Sequence, residues 1–140
     1  MPVTLDTETI RLVTLFENVT GSGVKDCLVD SQNGVVYFVI DEGEVGRAIG
    51  KNGAIVKKTE NLIKKNIKVF EFSDDVEKFA RNLIPQISSV KLRTENGRNL
   101  MDVWVAKKDK AVVIGRDGKN LKVYKELLQR NHDINEITIR

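Results

Sequence analysis

This 140-residue chain contains one short motif twice, as Ile49-Gly50-Lys51-Asn52-Gly53 and, 65 positions later, as Ile114-Gly115-Arg116-Asp117-Gly118. In each copy an aliphatic residue, Val56 or Leu121, lies three positions after the second glycine. Because glycine has no Cβ, such a turn allows the backbone to approach a ligand closely. A helix that opens at the second glycine would add exposed amides and a dipole that favour an anion. The motif therefore predicts a phosphate-binding turn, and its repetition makes a plain structural turn the weaker interpretation.

The similarity between the two copies extends well beyond the turns. An offset of 65 positions aligns residues 45–66 with residues 110–131, and it also aligns the apolar runs 36–40 and 101–105. This period is too long for a solenoid repeat and fits the duplication of a small domain. We therefore predict two domains, residues 1–72 and 73–140, without a flexible linker between them.

Hydrophobic periodicity and turn residues predict the same order of elements in both halves. The first half is interpreted as a helix over 6–19, strands over 24–29 and 35–40, helices over 44–49 and 54–65, and a strand over 67–72. The second half is interpreted as a helix over 74–84, strands over 87–93 and 100–106, a short helix, a helix ending at residue 130, and a strand over 134–139. The predicted fold class is thus α+β, with two αββααβ units that each pack helices on a three-stranded sheet.

Individual residues carry further structural expectations. Asp74 and Glu77 have the spacing of a capping box at the start of the second half. Phe38, Trp104 and Cys27 fall within predicted strands, which favours the core for all three. His132 would lie just past the end of a helix.

The positive charge is concentrated around the two motifs. The net charge is +3, but residues 47–68 carry +6 and residues 107–130 carry +5, so the remainder carries −8. Two basic segments in an acidic body indicate a polyanionic partner, although charge alone fits solvated lysine-rich helices equally well. The lysines of the helix 54–65 fit a solvated face better. By contrast, Lys107, Lys108 and Lys110 directly precede the second turn and are better placed to approach phosphates.

The composition also narrows the classes of function. A single cysteine excludes an internal disulfide and a cysteine-based zinc cluster, and a single histidine disfavours histidine-dependent catalysis. We expect no enzymatic activity, no metal and no cofactor. The sequence has no apolar run long enough to span a membrane, and its start lacks the basic residues of a signal peptide. These features predict a cytoplasmic protein without membrane contact.

The pattern Ile-Gly-x-x-Gly-x-x-aliphatic within αββααβ resembles the type II KH domain. Two such units without a linker resemble the KH pair of the archaeal NusA-like family, over essentially the whole chain. The resemblance implies binding of single-stranded RNA and a role in transcription termination or antitermination. It also implies RNA polymerase or the elongation complex as a further partner. In KH domains the glycine turn clamps the backbone of about four nucleotides, and the adjoining groove reads the bases.

The resemblance assigns RNA contacts to both halves of the chain. Ile49 and Val56 would line the first groove, and Ile114 and Leu121 the second. Asp117 is expected to weaken the second clamp by repelling phosphate, unless neighbouring cations compensate. The complete predicted set of RNA-binding residues is Ile49, Gly50, Lys51, Asn52, Gly53, Val56, Lys107, Lys108, Lys110, Ile114, Gly115, Arg116, Asp117, Gly118, Lys119 and Leu121.

Two other functions stay open at this point. Small-subunit ribosomal proteins also use type II KH domains, so an RNA-binding factor of ribosome assembly or translation is the first alternative. The second is an enzyme that uses the turns to bind a nucleotide. The chain lacks the Gly-Lys-Ser/Thr ending of a P-loop and the Gly-x-Gly of a dinucleotide fold, and it offers no plausible base–nucleophile pair.

Overall fold

The structure, a computed structural model of the chain, describes residues 6–140. This part of the chain divides into two compact units, residues 6–74 and Asp75–Arg140. Each unit is built from α-helices and one three-stranded sheet, so the α+β class is confirmed. Within residues 6–140, no helix combines the length and the apolar character needed to cross a membrane.

The first unit places its glycine turn inside a crossover connection. Its elements are α1 (Thr7–Thr20), β1 (Val24–Asp30), β2 (Val35–Ile40), α2 (Val45–Ile49), α3 (Ala54–Ile63) and β3 (Asn66–Glu71). Strands β1 and β2 are antiparallel, whereas β2 and β3 are parallel. A parallel pair cannot be joined by a hairpin and needs a longer crossover. Here α2, the turn and α3 form that crossover.

The second unit repeats this arrangement. Its elements are α4 (Val76–Leu83), β4 (Ile87–Glu95), β5 (Arg98–Val105), α5 (Lys110–Ile114), α6 (Lys119–His132) and β6 (Glu136–Ile139). Strand β5 again lies between an antiparallel neighbour, β4, and a parallel neighbour, β6. The predicted order αββααβ is therefore found in both units.

Three predicted helix boundaries differ from the structure by two residues. Helix α3 ends at Ile63 because Lys64 adopts the left-handed conformation, with φ 56°. Helix α6 continues to His132, whose ring lies against Phe79 with the ring centroids 5.2 Å apart. Helix α4 is capped by Asp75, whose carboxylate accepts hydrogen bonds from the amides of Glu77 and Lys78 at 2.9 and 3.2 Å. Asp74 therefore does not form the expected capping box.

The core of the first unit lies between the sheet and the helices. The rings of Phe16 on α1 and Phe38 on β2 are stacked with centroids 4.0 Å apart, and both are fully buried. Burying one such side chain contributes about 1.5–3 kcal/mol. The predicted core positions of Phe38 and Cys27 are confirmed. The buried cluster consists of Leu12, Phe16, Cys27, Val36, Phe38, Ile40, Ala48 and Ile67.

The prediction that Trp104 belongs to the core is wrong, because 37% of the residue is exposed. Side chains alternate between the two faces of a strand. Met101 and Val103 are fully buried on one face of β5, so Trp104 falls on the opposite face. The apolar character of the strand did not by itself indicate which face of the sheet Trp104 occupies.

A buried carboxylate links the strands of the second sheet. Asp102 on β5 is only 4% exposed. It accepts a hydrogen bond from Arg93 Nε on β4 at 2.9 Å and another from Arg140 Nη2 at 3.2 Å. The hydrogen bond from Arg93, together with the positive charge of Arg140, lowers the pKa of the Asp102 carboxyl below its ordinary value of 3.8. Because Arg140 directly follows β6, these contacts connect all three strands.

Candidate nucleic-acid interface

The turn between α2 and α3 has a backbone that glycine alone adopts readily. Gly50 has φ 77° and ψ 173°, a region that is essentially restricted to glycine. Asn52 and Gly53 follow in the left-handed region, with φ 54° and 73°. Asparagine is among the few other residues that tolerate this region. The three conformations reverse the chain so that α3 begins at Ala54.

The turn between α5 and α6 has the same backbone conformation. Gly115 has φ 78° and ψ 168°, Asp117 has φ 56° and Gly118 has φ 72°. Each value lies within a few degrees of its counterpart in the first turn. The sequence repeat is therefore also a repeat of a special backbone geometry.

The first glycine of each turn is further required by close packing. A Cβ on Gly50 would lie 2.6 Å from Cγ1 of Ile55, and one on Gly115 would lie 2.8 Å from the amide carbon of Asn120. In the second unit Asn120 Nδ2 donates a hydrogen bond to the carbonyl of Val112 at 3.1 Å. Two different side chains thus hold the start of α3 and of α6 against the turn.

The two helices that follow the turns differ from the first helices of the units at their amino termini. Helices α1 and α4 are capped by the carboxylates of Asp6 and Asp75. Neither α3 nor α6 has a side-chain cap, and neither has an acidic residue in its first turn. The first amide of each helix is bonded within the turn, from Ala54 to the carbonyl of Lys51 and from Lys119 to that of Arg116. The positive end of each dipole remains available to an anion.

Charged side chains of the predicted set lie on the surface around both turns. Lys51 and Asn52 are exposed in the first turn, and Arg116 and Asp117 occupy the same positions in the second. Lys107 and Lys108 are exposed in the helical turn before α5. Lys110, the first residue of α5, is half-buried, and Lys119, the first residue of α6, is exposed. Local charge around the second turn is positive despite Asp117.

A groove beside the first turn is where Ile49 and Val56 come together. It has a volume of about 260 Å³ and is lined by Ile49, Gly53, Val56, Lys57, Glu60, Ile67 and Val69. Its apolar walls come from α2, α3 and β3, and its polar groups are Lys57 and Glu60. A groove with apolar walls and few polar groups is typical of a ligand site.

The sequence interpretation missed the two charged groups of this groove. Lys57 is exposed, as predicted, but it also lines the groove, and its Cε would lie 3.9 Å from a Cβ on Gly53. Glu60 is held by a hydrogen bond from the amide of Ile67 to Oε2 at 2.8 Å. The sequence did carry a signal for both groups. Lys57 and Glu60 are three residues apart, which places them on one side of α3, next to Val56.

In the second unit, Ile114 and Leu121 are half-buried beside the turn, as Ile49 and Val56 are beside the first. A cavity of this unit, of about 390 Å³, lies at the other end of its sheet and is lined by Val76, Leu92, Arg93, Thr94, Asn99, Leu100, His132 and Ile134. It includes none of the predicted RNA-binding residues.

Comparison with known protein families identifies the class of protein to which this fold and these turns belong. The KH domain family matches residues 13–92, more than half of the chain. That match begins in α1 and extends through the first turn into β4, so it covers the first glycine turn completely. The chain is a KH-domain protein.

Similarity to whole proteins narrows the family. The chain is 35% identical to a probable transcription termination protein NusA of Halococcus morrhuae, with 99% of both chains covered. It is 33% identical to the protein of the same name from Methanocaldococcus jannaschii, covering 98% of this chain and 75% of the relative. The crystal structure of a protein designated APE1850 is 35% identical, with a TM-score of 0.83 over 97% of this chain and 100% of that one. The chain belongs to the archaeal NusA-like family of KH proteins.

Proposed function

We propose that the chain consists of two tandem type II KH domains, residues 1–72 and 73–140, each of which binds single-stranded RNA at its glycine turn. The protein is an RNA-binding protein of transcription termination, as its NusA-like relatives are named. The observation that carries the proposal is the pair of turns with matching backbone angles, each leading into an uncapped helix.

The chemistry of this interface divides between backbone and bases. The positive ends of the α3 and α6 dipoles, with Lys51 in the first turn and Arg116 in the second, would hold phosphates, which supplies affinity without sequence preference. The groove beside the first turn would take an unstacked base against Ile49, Val56 and Val69. A duplex presents its phosphates but keeps its bases stacked, so the groove would remain empty. Single strands are therefore the preferred ligand, and binding involves no bond-making step.

The proposed protein partner is RNA polymerase. The protein would act on nascent transcripts, in the cytoplasm. The names of the relatives support transcription over the ribosomal alternative. Affinity purification of the tagged protein separates the two, since the transcription proposal expects polymerase subunits to be recovered. Recovery of ribosomal particles without polymerase would contradict it.

The turn assignment is tested by Lys51→Asp combined with Asn52→Asp. Both residues are exposed, and the second turn already accommodates aspartate at the position of Asn52, with φ 56° at Asp117. We expect the variant to fold normally and to lose at least about tenfold in affinity for single-stranded RNA, because two added carboxylates repel phosphate. Fluorescence anisotropy with labelled ten-nucleotide RNA measures the loss.

A matched control is available on α3, the helix that follows the first turn. Lys58→Asp combined with Asn61→Asp makes the same change in charge at two exposed residues that lie outside the groove. This control should bind almost as well as the wild type. Equal losses in the two variants, or competition by a perfect duplex as strong as by a single strand, would refute the assignment.

A further inference from the structure

The carboxylate of Glu60 occupies an unusual place for an RNA-binding groove. It lines the groove beside the first turn, on α3, and the amide of Ile67 on β3 donates a hydrogen bond to its Oε2 at 2.8 Å. Within residues 6–140, its Oε1 has no hydrogen-bond partner. One oxygen therefore anchors the side chain, while the other can accept from a ligand.

The two charged residues of the groove, Lys57 and Glu60, are placed to contact different parts of a nucleotide. Lys57 lies one helical turn closer to the glycine turn and reaches back toward Gly53, where phosphate is proposed to bind. Glu60 is tied to β3 through the amide of Ile67. A fixed carboxylate repels phosphate, so the group that faces Glu60 is an uncharged hydrogen-bond donor of the base or the ribose.

We propose that Glu60 is a specificity-determining residue that selects a base carrying an amino group and disfavours uracil. This inference rests on the proposed function and names the base class for the first groove. An ionised carboxylate can only accept hydrogen bonds. Adenine, cytosine and guanine present an NH₂ group, and pairing of a carboxylate with the amino group of cytosine is an established mode of base recognition. Uracil presents carbonyl oxygens on both sides of its single N–H, and these repel the carboxylate.

The second unit lacks this feature. The residue 65 positions after Glu60 is Lys125, whose Nζ is paired with Glu136 Oε2 at 3.1 Å. Selection against uracil should therefore be confined to one region of the bound RNA.

The test is a uracil scan of a ten-nucleotide RNA of alternating cytosine and adenine. Fluorescence anisotropy should reveal a short region in which one uracil weakens binding by about tenfold or more, the loss expected for a hydrogen bond to a charged group. In Glu60→Gln this penalty should fall to within about threefold, because an amide both donates and accepts hydrogen bonds. The amide oxygen can still accept from Ile67, so the melting temperature should remain close to that of the wild type. Glu77→Gln, on the exposed surface of α4, controls for the loss of one negative charge.

A second arm leaves the protein unchanged. N4,N4-dimethylcytosine at the sensitive position keeps the ring but cannot donate, so the wild type should bind this RNA as weakly as the uracil variant. A wild type that binds every RNA of the scan equally, or a Glu60→Gln variant that retains the full penalty, overturns the role of Glu60 while RNA binding stands. Failure of the wild type to bind any single strand would instead overturn the proposed function itself.

Discussion

At the scale of single residues, the two glycines of each turn have different physical roles. Gly50 combines a glycine-only backbone conformation with a close approach to Ile55. Gly53 needs only the left-handed region, since a Cβ there would make an ordinary contact with Lys57 Cε at 3.9 Å. The residue directly before the second glycine, Asn52 in one copy and Asp117 in the other, also adopts the left-handed region. Backbone geometry therefore fixes the glycines, while the residues between them remain free to set the charge.

This difference predicts unequal effects of alanine. Gly50→Ala should destabilise the protein by about 1–3 kcal/mol from backbone strain alone, and the contact with Ile55 adds to this. Gly53→Ala should cost about 1–2 kcal/mol. Urea unfolding measures both, and RNA affinity should fall further in Gly50→Ala because the turn itself must shift.

Gly46→Ala is the matched control for this comparison. Gly46 lies within α2, with nothing close to the position of a Cβ. Alanine there should stabilise the protein by up to about 1 kcal/mol because it favours the helix. A Gly50→Ala variant as stable as the wild type would contradict the glycine-specific conformation of the turn at Gly50.

At the scale of elements, the second sheet depends on an ionised group. Arg93 and Arg140 bond the two oxygens of Asp102, so a single carboxylate joins β4, β5 and the end of β6. A carboxylate that is only 4% exposed is most stable while both cationic partners remain.

Asp102 therefore predicts how stability depends on acidity. Since its pKa is lowered in the folded protein, its stabilising effect is complete above the ordinary carboxyl value of 3.8 and is lost as the pH falls below that value toward the folded pKa. Asp102→Asn should lower the free energy of unfolding at pH 7 by about 1–3 kcal/mol. Its stability should also change less than that of the wild type between about pH 5 and about pH 3, the window in which the wild-type carboxyl loses its charge. Thermal melts across this range measure both effects, and parallel curves would contradict the ion-pair role.

At the scale of the whole molecule, two units follow each other directly, and each carries a turn proposed to bind RNA. If one turn holds RNA, the second would engage the same strand at a high effective concentration. Each turn is expected to cover about four nucleotides. A single strand of about eight to ten nucleotides is therefore the expected length for engagement of both.

Affinity should rise steeply between five and ten nucleotides, by about tenfold or more, and level off beyond that length. Arg116→Asp with Lys119→Asp should abolish the gain while leaving the affinity for five nucleotides almost unchanged. Lys91→Asp with Arg98→Asp, two exposed residues of β4 and β5, is the control of equal charge. Anisotropy titrations that show no dependence on length would mean that the two turns do not share one strand.

The sequence by itself determined the α+β class, the order of elements and the place of both turns. It could do so because these features depend on local signals: apolar periodicity, glycine at special backbone positions and a repeat of 65 positions. Family membership followed from the same motifs. Boundaries shifted where one residue decided the outcome, as at Lys64, whose left-handed conformation ends α3 early.

Only the tertiary structure decided which face each side chain occupies and which distant groups meet. The exposure of Trp104 depends on the alternation within β5 and on where the helices cover the sheet. The anchoring of Glu60 requires β3 to lie beside α3, since the hydrogen bond joins a side chain to an amide seven residues away. Lys57 and Lys58 are both exposed, and of the two it is Lys57 that lines the groove. Such contacts arise from the packing of separate elements, which no local pattern encodes.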